Sequence, residues 1–360
     1  MKVPGDEINK LINGSKEEKK ELLRCLADNL QEVDKTQIDI LIEALEKEKS
    51  RAIKEKIYLL LLELIPKTGF DALAKMLRSD DPFTRNAAVE IIKISPDCPT
   101  SYIKWLARDK DKDVRKLAID AVSSQKSPEA VAIIRERLND EEINIVTTAV
   151  EYLGNVEDRE SAEDIEELLL KTDNKFLQCT CLEALSKIGH SSSSRNIIEK
   201  FASESDPLVY FSYLRYVAEF GKKEDLESIL GLMEKFPGLL EREALDAIEK
   251  IVTNYGITEV PKKLEKTLVN IMDNTDNSNQ KYQVLKILTQ ISGENFRDHV
   301  RELLDSTDEM LKLSAIEILA DCGEEKDIEL LENIAESTED DELLEAIGDA
   351  VNKIYQRIEK

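Results

Sequence analysis

Asp109-Lys110-Asp111-Lys112-Asp113-Val114-Arg115-Lys116-Leu117-Ala118-Ile119-Asp120-Ala121-Val122 is the stretch that decides the fold. A polar turn ends in an acid, Val-Arg follows, and apolar residues then recur every three or four positions, the period of one helix face. Asp80-Asp81-Pro82-Phe83-Thr84-Arg85-Asn86-Ala87-Ala88-Val89-Glu90-Ile91-Ile92 is a near copy, and weaker copies continue down the chain. With Ala118 as the marker, the matching residues are Ala88, Ala118, Ala149, Cys181, Tyr213, Ala244, Val284, Ala315 and Ala346. Their spacings are 30, 31, 32, 32, 31, 40, 31 and 31 residues, and an aliphatic residue follows each marker. A steady period of this length means stacked helical hairpins, because one hairpin cannot hide its own apolar stripe. The expected fold is an all-α solenoid of about eleven hairpins.

Punctuation agrees with that reading. Gly14 can end a helix over Glu7–Ile12, and Ser15 with Glu18 forms a capping box for a helix over Glu17–Leu30. A second pair is expected over 36–47 and 50–65, ended by Pro66 and Gly69. Gly154, Gly189, Gly221 and Gly323 each close a second helix, and the spacing of 40 places an insertion near 255–263. The expected organisation is divergent N-terminal capping hairpins over 1–68 and a regular array over 69–360. Polar ends, Lys16–Glu21 and a C-terminal cap over 325–360, suit capping units. No long linker or non-repeat remainder is left for a separate catalytic domain.

Of the 360 residues, 41% are hydrophobic, 35% charged and 5% aromatic, so aliphatic side chains and Ala must build the core. Net charge is −25. Residues 1–125 hold 23 bases and 23 acids, so residues 126–360, with 27 and 52, carry the whole imbalance. That field repels phosphate backbones and anionic lipid and attracts a basic partner; it also keeps a long array soluble. Five scattered cysteines form no disulfide framework and suit a reducing compartment. Cys179 and Cys181 lie two apart, about 200° around a helix, and cannot jointly grip one ion. The N-terminus has no apolar signal region, and Ile57–Leu62 breaks at Glu63, too short to span a bilayer. A cytoplasmic protein with no membrane association is expected.

The quoted stretches resemble HEAT repeats, especially the short bacterial and archaeal kind also found in phycobilisome lyases. The likeness lies in Asp81–Ala88 and Asp111–Ala118, and in the acid two residues after the marker: Glu90, Asp120, Glu151, Glu183, Asp246 and Glu317. The resemblance implies a right-handed α-solenoid whose second helices line a concave surface. It also implies that the turn Asp and the Arg, clear at Asp81/Arg85 and Asp111/Arg115, brace adjacent units. TPR repeats have a longer period, about 34 residues, and fit worse.

No catalytic constellation emerges. The only histidines are His190 and His299, and no His-Glu pair recurs as it does in HEAT-repeat iron hydroxylases; both are expected to be solvated. Asp273-Asn274-Thr275-Asp276-Asn277-Ser278-Asn279 is oxygen-rich, but the sixth position is Ser278 rather than Gly and the twelfth is Val284 rather than Glu. A solvated turn is expected there, with no metal and no cofactor. HEAT-like DNA glycosylases use a basic groove with Trp and Asp. Here the single Trp105 falls on a first helix, expected to be convex or core, and the net charge disfavours nucleic acid.

Recognition is the reading that remains: a non-enzymatic protein-binding scaffold or adaptor that meets a partner protein on the second-helix face. The expected outward ladder is Glu90, Asp120, Glu151, Glu183, Arg215, Asp246, Lys286 and Glu317. Five of the eighteen aromatics fall in Tyr210–Phe220, so Tyr210, Arg215 and Tyr216 join the expected partner-binding set, Tyr and Arg being types that anchor interfaces. Residues 294–360 carry 21 acids against 7 bases, which suits a basic partner segment. The alternative is a bilin lyase-like or other small-ligand-handling protein, a likeness of repeat rather than of site.

Overall fold

The marker residues are where helices meet. Ala88, Ala118, Ala149, Cys181, Tyr213, Ala244, Val284 and Ala315 are all 0% exposed, and the aliphatic residue after each is buried too. Only the last marker, Ala346, is partly exposed. The computed structural model describes residues 5–95, 98–123, 127–189, 192–202, 206–292, 294–306 and 308–358. It divides into two compact units, Met1–Ile165 and Glu166–Lys360. That division follows contacts, whereas one at 68/69 follows repeat regularity.

The N-terminal unit begins with α1 (Gly5–Ile8), α2 (Lys10–Asn13), α3 (Lys16–Asp28), α4 (Lys35–Lys47) and α5 (Arg51–Thr68). Its hairpins follow: α6 (Asp71–Leu77) with α7 (Pro82–Ile94), α8 (Thr100–Leu106) with α9 (Lys112–Val122), and α10 (Pro128–Arg135) with α11 (Ile143–Asn155). The helix α12 (Ala162–Lys171) contains the division, and α13 (Lys175–Ile188) follows it in the second unit. Next come α14 (Ser194–Phe201) with α15 (Pro207–Phe220), α16 (Leu226–Lys235) with α17 (Glu241–Tyr255), and α18 (Lys262–Asn274) with α19 (Ser278–Ser292). The last two hairpins are α20 (Glu294–Leu303) with α21 (Glu309–Cys322), and α22 (Glu325–Ser337) with α23 (Asp341–Ile358). Second helices form rows, α7–α9–α11 in one unit and α13–α15–α17–α19–α21–α23 in the other. Among the described residues there is no strand, and no helix is long and apolar enough to cross a membrane.

Local chemistry sets the helix ends. Ser15 accepts from the Glu18 amide at 3.3 Å while Glu18 accepts from the Ser15 amide at 2.8 Å, the reciprocal box that ties down α3. Second helices start on acidic or amide caps: Asp81, Asp111, Asn174, Asp206 and Asp308 each accept from a backbone N–H of the first turn. Two expected stops move. Pro66 lies inside α5, in its last turns, and Gly69 alone ends that helix. Gly154 lies within α11, and Glu157 takes the left-handed backbone beyond it. Gly221 and Gly323 are glycine for space: a Cβ would clash with the Val217 or Leu319 carbonyl oxygen of its own helix, with the Ile251 or Ile354 side chain of the next second helix also at 2.9 Å.

Ion pairs join successive hairpins. Arg115 forks Asp140 with Nε and Nη2, 2.9 Å each, while its Nη1 holds the Asp109 carbonyl at 2.9 Å. Arg115 thus braces neighbours as the resemblance implied, but Arg85 reaches only the Ser79 carbonyl of its own turn, and Asp81 takes Lys54 at 2.7 Å instead. A second brace recurs with its own rule. Arg135, Arg195 and Arg301 on first helices fork Asp158, Asp225 and Asp327, each four residues after Gly154, Gly221 and Gly323. Asp225 and Asp327 also accept the Lys222 and Glu324 amides, at 2.9 and 2.7 Å.

Burial works to raise the Asp140 and Asp327 carboxyls, and the Arg115 and Arg301 forks with backbone donors outweigh it, so both sit below the usual 3.8. A depressed folded-state pKa means the unfolded chain binds the extra proton. The contribution is therefore complete above the usual carboxylate value and lost as pH falls through the folded one. Asp327→Ala, which strips Arg301 of its buried fork and leaves it only the more exposed Asp298 and Glu324, is expected to cost about 3 kcal/mol in denaturant unfolding near neutral pH, with the gap to wild type closing in acid. Lys171→Ala, in the exposed pair with Glu167, is expected to stay within about 0.5 kcal/mol.

Candidate interaction face

In the C-terminal unit, the second helices present successive outward positions. Taking α15, the residues at 208, 211 and 215 are three and four apart and share one face, while 210, 213 and 216/217 share the opposite one. The same register on α13 and α17 turns Glu183 and Asp246 outward. Between these helices lies an open trough of about 850 Å³, lined by Glu183, Arg215, Asp246 and Lys286 among others. It runs on past Thr253 and Lys286 into a depression of about 410 Å³ bounded by Glu317, and past Tyr282, Glu317 and Asp321 into one of about 400 Å³ on α21 and α23. Five ladder positions, Glu183, Arg215, Asp246, Lys286 and Glu317, thus meet in one trough.

Its polar groups are partly tied to each other. Ser212 donates to Glu183 at 3.2 Å. Gln283 donates to Asp246 at 2.7 Å and to Glu249 at 2.9 Å, and Lys286 pairs with Glu249 at 2.9 Å. Tyr282 donates to Glu317 at 2.9 Å; burial first, then that carboxylate, push its phenol well above the usual value. The Arg215 guanidinium lies 4.7 Å over the Phe211 ring. Among the described residues neither Arg215 nor Arg242 has a carboxylate within ion-pair distance, although both line the trough. At the α21–α23 end the balance changes: Glu317, Asp321, Glu342, Glu345 and Asp349 face a single Lys353.

The remaining expected site residues lie elsewhere. Glu90, Asp120 and Glu151 belong to the N-terminal unit; Glu90 pairs with Lys93 at 3.0 Å and Asp120 with Lys116 at 2.9 Å, each on its own helix. Tyr210 and Tyr216 are corrected by the structure, at 1% and 0% exposed. Tyr210 packs on Phe236 at 5.4 Å and Tyr216 on Phe220 at 4.6 Å, while Tyr213 donates to the Ile198 carbonyl at 3.2 Å. These rings are core, and of the expected trio only Arg215 reaches solvent. Trp105, expected convex or core, is 53% exposed on α8. His299 is exposed on α20, and His190 lies outside the described residues. Cys181 is fully buried and Cys179 half-buried.

Sequence reasoning passed over an apolar row. Phe176, Leu208 and Leu239 each lie five residues before their marker and are 72%, 73% and 62% exposed, at the turn end of α13, α15 and α17. Met310 repeats the position at α21. The signal was an aliphatic or aromatic residue at a position that is otherwise acid or Asn, as at Asp113, Asn144 and Asn279.

Comparison with known proteins fits this geometry. The sequence pattern of HEAT repeats matches residues 99–186 and 265–352. Those two stretches are HEAT repeats. No curated protein matches the chain in sequence. A solved engineered protein from the Northeast Structural Genomics Consortium is similar in fold, with 17% identity, a TM-score of 0.50, and 97% of this chain covering 99% of that one. Kap95p, whose binding induces the switch loops of RanGDP to adopt the GTP-bound conformation, is similar at 10% identity and a TM-score of 0.55. That match covers 94% of this chain but only 56% of the other. At such identities the likeness is one of fold, an all-α solenoid.

Because α15 buries one face and exposes the other, the two halves of the aromatic run should respond differently to truncation. Tyr216→Ala is expected to destabilise the fold by about 3–5 kcal/mol, as large-to-small core changes do. Arg215→Ala is expected to change stability by less than about 1 kcal/mol. Parallel urea titrations compare them, and equal losses would mean that the assignment of faces is mistaken.

Proposed function

We propose that the protein is a non-enzymatic scaffold whose C-terminal unit binds a protein segment along the second-helix trough, with basic side chains of that segment seated at the α21–α23 end. One observation carries the reading: outward positions of consecutive second helices line one continuous trough whose last stretch sets five carboxylates against one lysine. Charge of that arrangement steers and orients a basic segment. The exposed row Phe176, Leu208 and Leu239 on the same unit offers apolar area for anchoring.

The chemistry of the trough favours binding over catalysis. Burial pushes the Cys322 thiol up to about 11 against the pull of Arg297 and Arg357, and Tyr282 is pushed up as well, so neither is a nucleophile or base near neutral pH. The trough is open and lined largely by charged side chains, whereas small-ligand pockets are concave and mostly apolar. A bilin or similar pigment gains no support from it.

A fluorescent Lys/Arg-rich peptide, titrated by anisotropy, tests the proposal. Binding is expected to weaken with salt and to fall about tenfold in Glu342→Lys/Glu345→Lys, both exposed and remote from the core. Affinity indifferent to salt and to this double reversal would sink the reading.

A further inference from the structure

Trp105, the only tryptophan of the chain, stands 53% exposed on α8. Ile103 and Leu106 bury the inner face of that short helix, and Trp105 leaves it on the other side, its ring centroid 5.5 Å from that of Tyr102. Around it lies a depression of about 520 Å³ walled by Arg78, Lys104, Arg108 and Lys110, with Asp109. Exposing the largest apolar side chain in a ring of cations brings together Trp, Tyr and Arg, the residue types that dominate interface energetics.

Charge decides the kind of partner. Glu136 alone serves both Lys104 and Arg108, 2.6 Å from each, and buried Asp109 serves Arg78. Lys110 has no carboxylate within ion-pair distance among the described residues, so four cations stand against two carboxylates. The patch is cationic in a chain of net charge −25. Its fixed carboxylates already show the geometry in which these cations donate to carboxylate oxygens: Arg108 holds Glu136 through Nε at 3.0 Å and through Nη2.

We propose that this face of the N-terminal unit is a second docking surface, taking an acidic protein segment that lays an aromatic or aliphatic side chain on Trp105 and carboxylates on Arg108 and Lys110. The partner is opposite in charge to the one suited to the α21–α23 trough, and the surface is independent of it. A peptide is favoured over a nucleic acid because the surplus of cations is small and local. A phosphate backbone needs a long track of cations, and residues 1–125 around the patch hold as many acids as bases, 23 of each, whereas a short acidic segment needs one or two cations.

The sole tryptophan makes the test direct. The full chain is titrated with a short acidic peptide carrying one phenylalanine, and Trp105 emission is followed at low and moderate salt. A saturable blue shift is expected, weakened at least tenfold by Arg108→Glu/Lys110→Glu and also by replacing the peptide's phenylalanine with alanine. Lys110→Glu alone, which touches no ion pair, guards against a folding artefact, and circular dichroism checks both variants. The Lys/Arg-rich peptide of the trough should leave the emission unchanged. No shift, a shift insensitive to the charge reversals, a response to single-stranded oligonucleotide in preference to the peptide, or an emission that depends on protein concentration alone would each overturn the proposal.

Discussion

A helical hairpin with an apolar stripe on both helices has no way to bury it alone, and every feature of this chain follows from that deficit. The neighbour supplies the missing wall, so the crossing position of each second helix must be small or well fitted. Ala holds it in five of the eight fully buried cases. At Tyr213 the same position takes a phenol, which is stable only because the hydroxyl reaches the Ile198 carbonyl in its own hairpin. Gly221 and Gly323 solve the same problem at the helix end, where the Val217 and Leu319 carbonyls, backed by an isoleucine of the next second helix, leave no room for a Cβ. Close packing thus fixes sequence at three sorts of site: the marker, its aliphatic successor and the closing glycine.

Polar braces add direction to this packing. Hydrophobic burial is non-directional, and a stack held by it alone could slide or rotate. The forks from Arg135, Arg195 and Arg301 pin the start of the next first helix through Asp158, Asp225 and Asp327. Two of these carboxylates also cap the helix they belong to, so a single group sets both the helix start and its place on the preceding hairpin. Desolvating such a pair is costly, and its merit lies more in fixing one geometry than in net stability.

The repeat was legible in sequence because core register is written by spacing, and spacing survives without any knowledge of neighbours. The cap at Ser15 was legible for the same reason, acting within a few residues, whereas Asp81 and Asp111, read as braces between units, also cap their own helices. Gly154 was misread because a glycine can be chosen for close approach inside a helix as well as for its end, and Pro66 because a proline in a last turn forfeits little. The tyrosine run shows a different failure. Composition marked Tyr210–Phe220 as unusual without saying which way it faced, yet Tyr210, Tyr213 and Tyr216 repeat every three residues and include the marker itself. Their period was core period. Phe211 and Arg215, four apart on the other face, were the outward pair. The Asp158, Asp225 and Asp327 braces stayed hidden because their partners lie 23 to 30 residues earlier, in another hairpin.

The face is free where the core is not, and this is what lets one scaffold carry opposite chemistries. Each hairpin contributes outward side chains that no packing rule constrains, so charge can change sign along a row without disturbing a single marker. Along the trough, cations and carboxylates interleave around Arg215 and Asp246, then give way to carboxylates at α21 and α23. A uniform acidic surface would attract any basic chain in any direction. A graded one distinguishes the two ends of a segment, because reversing the segment would set its cations against Arg215 and Arg242 and leave the carboxylates of α23 unmet. Net charge alone therefore understates what this face can select.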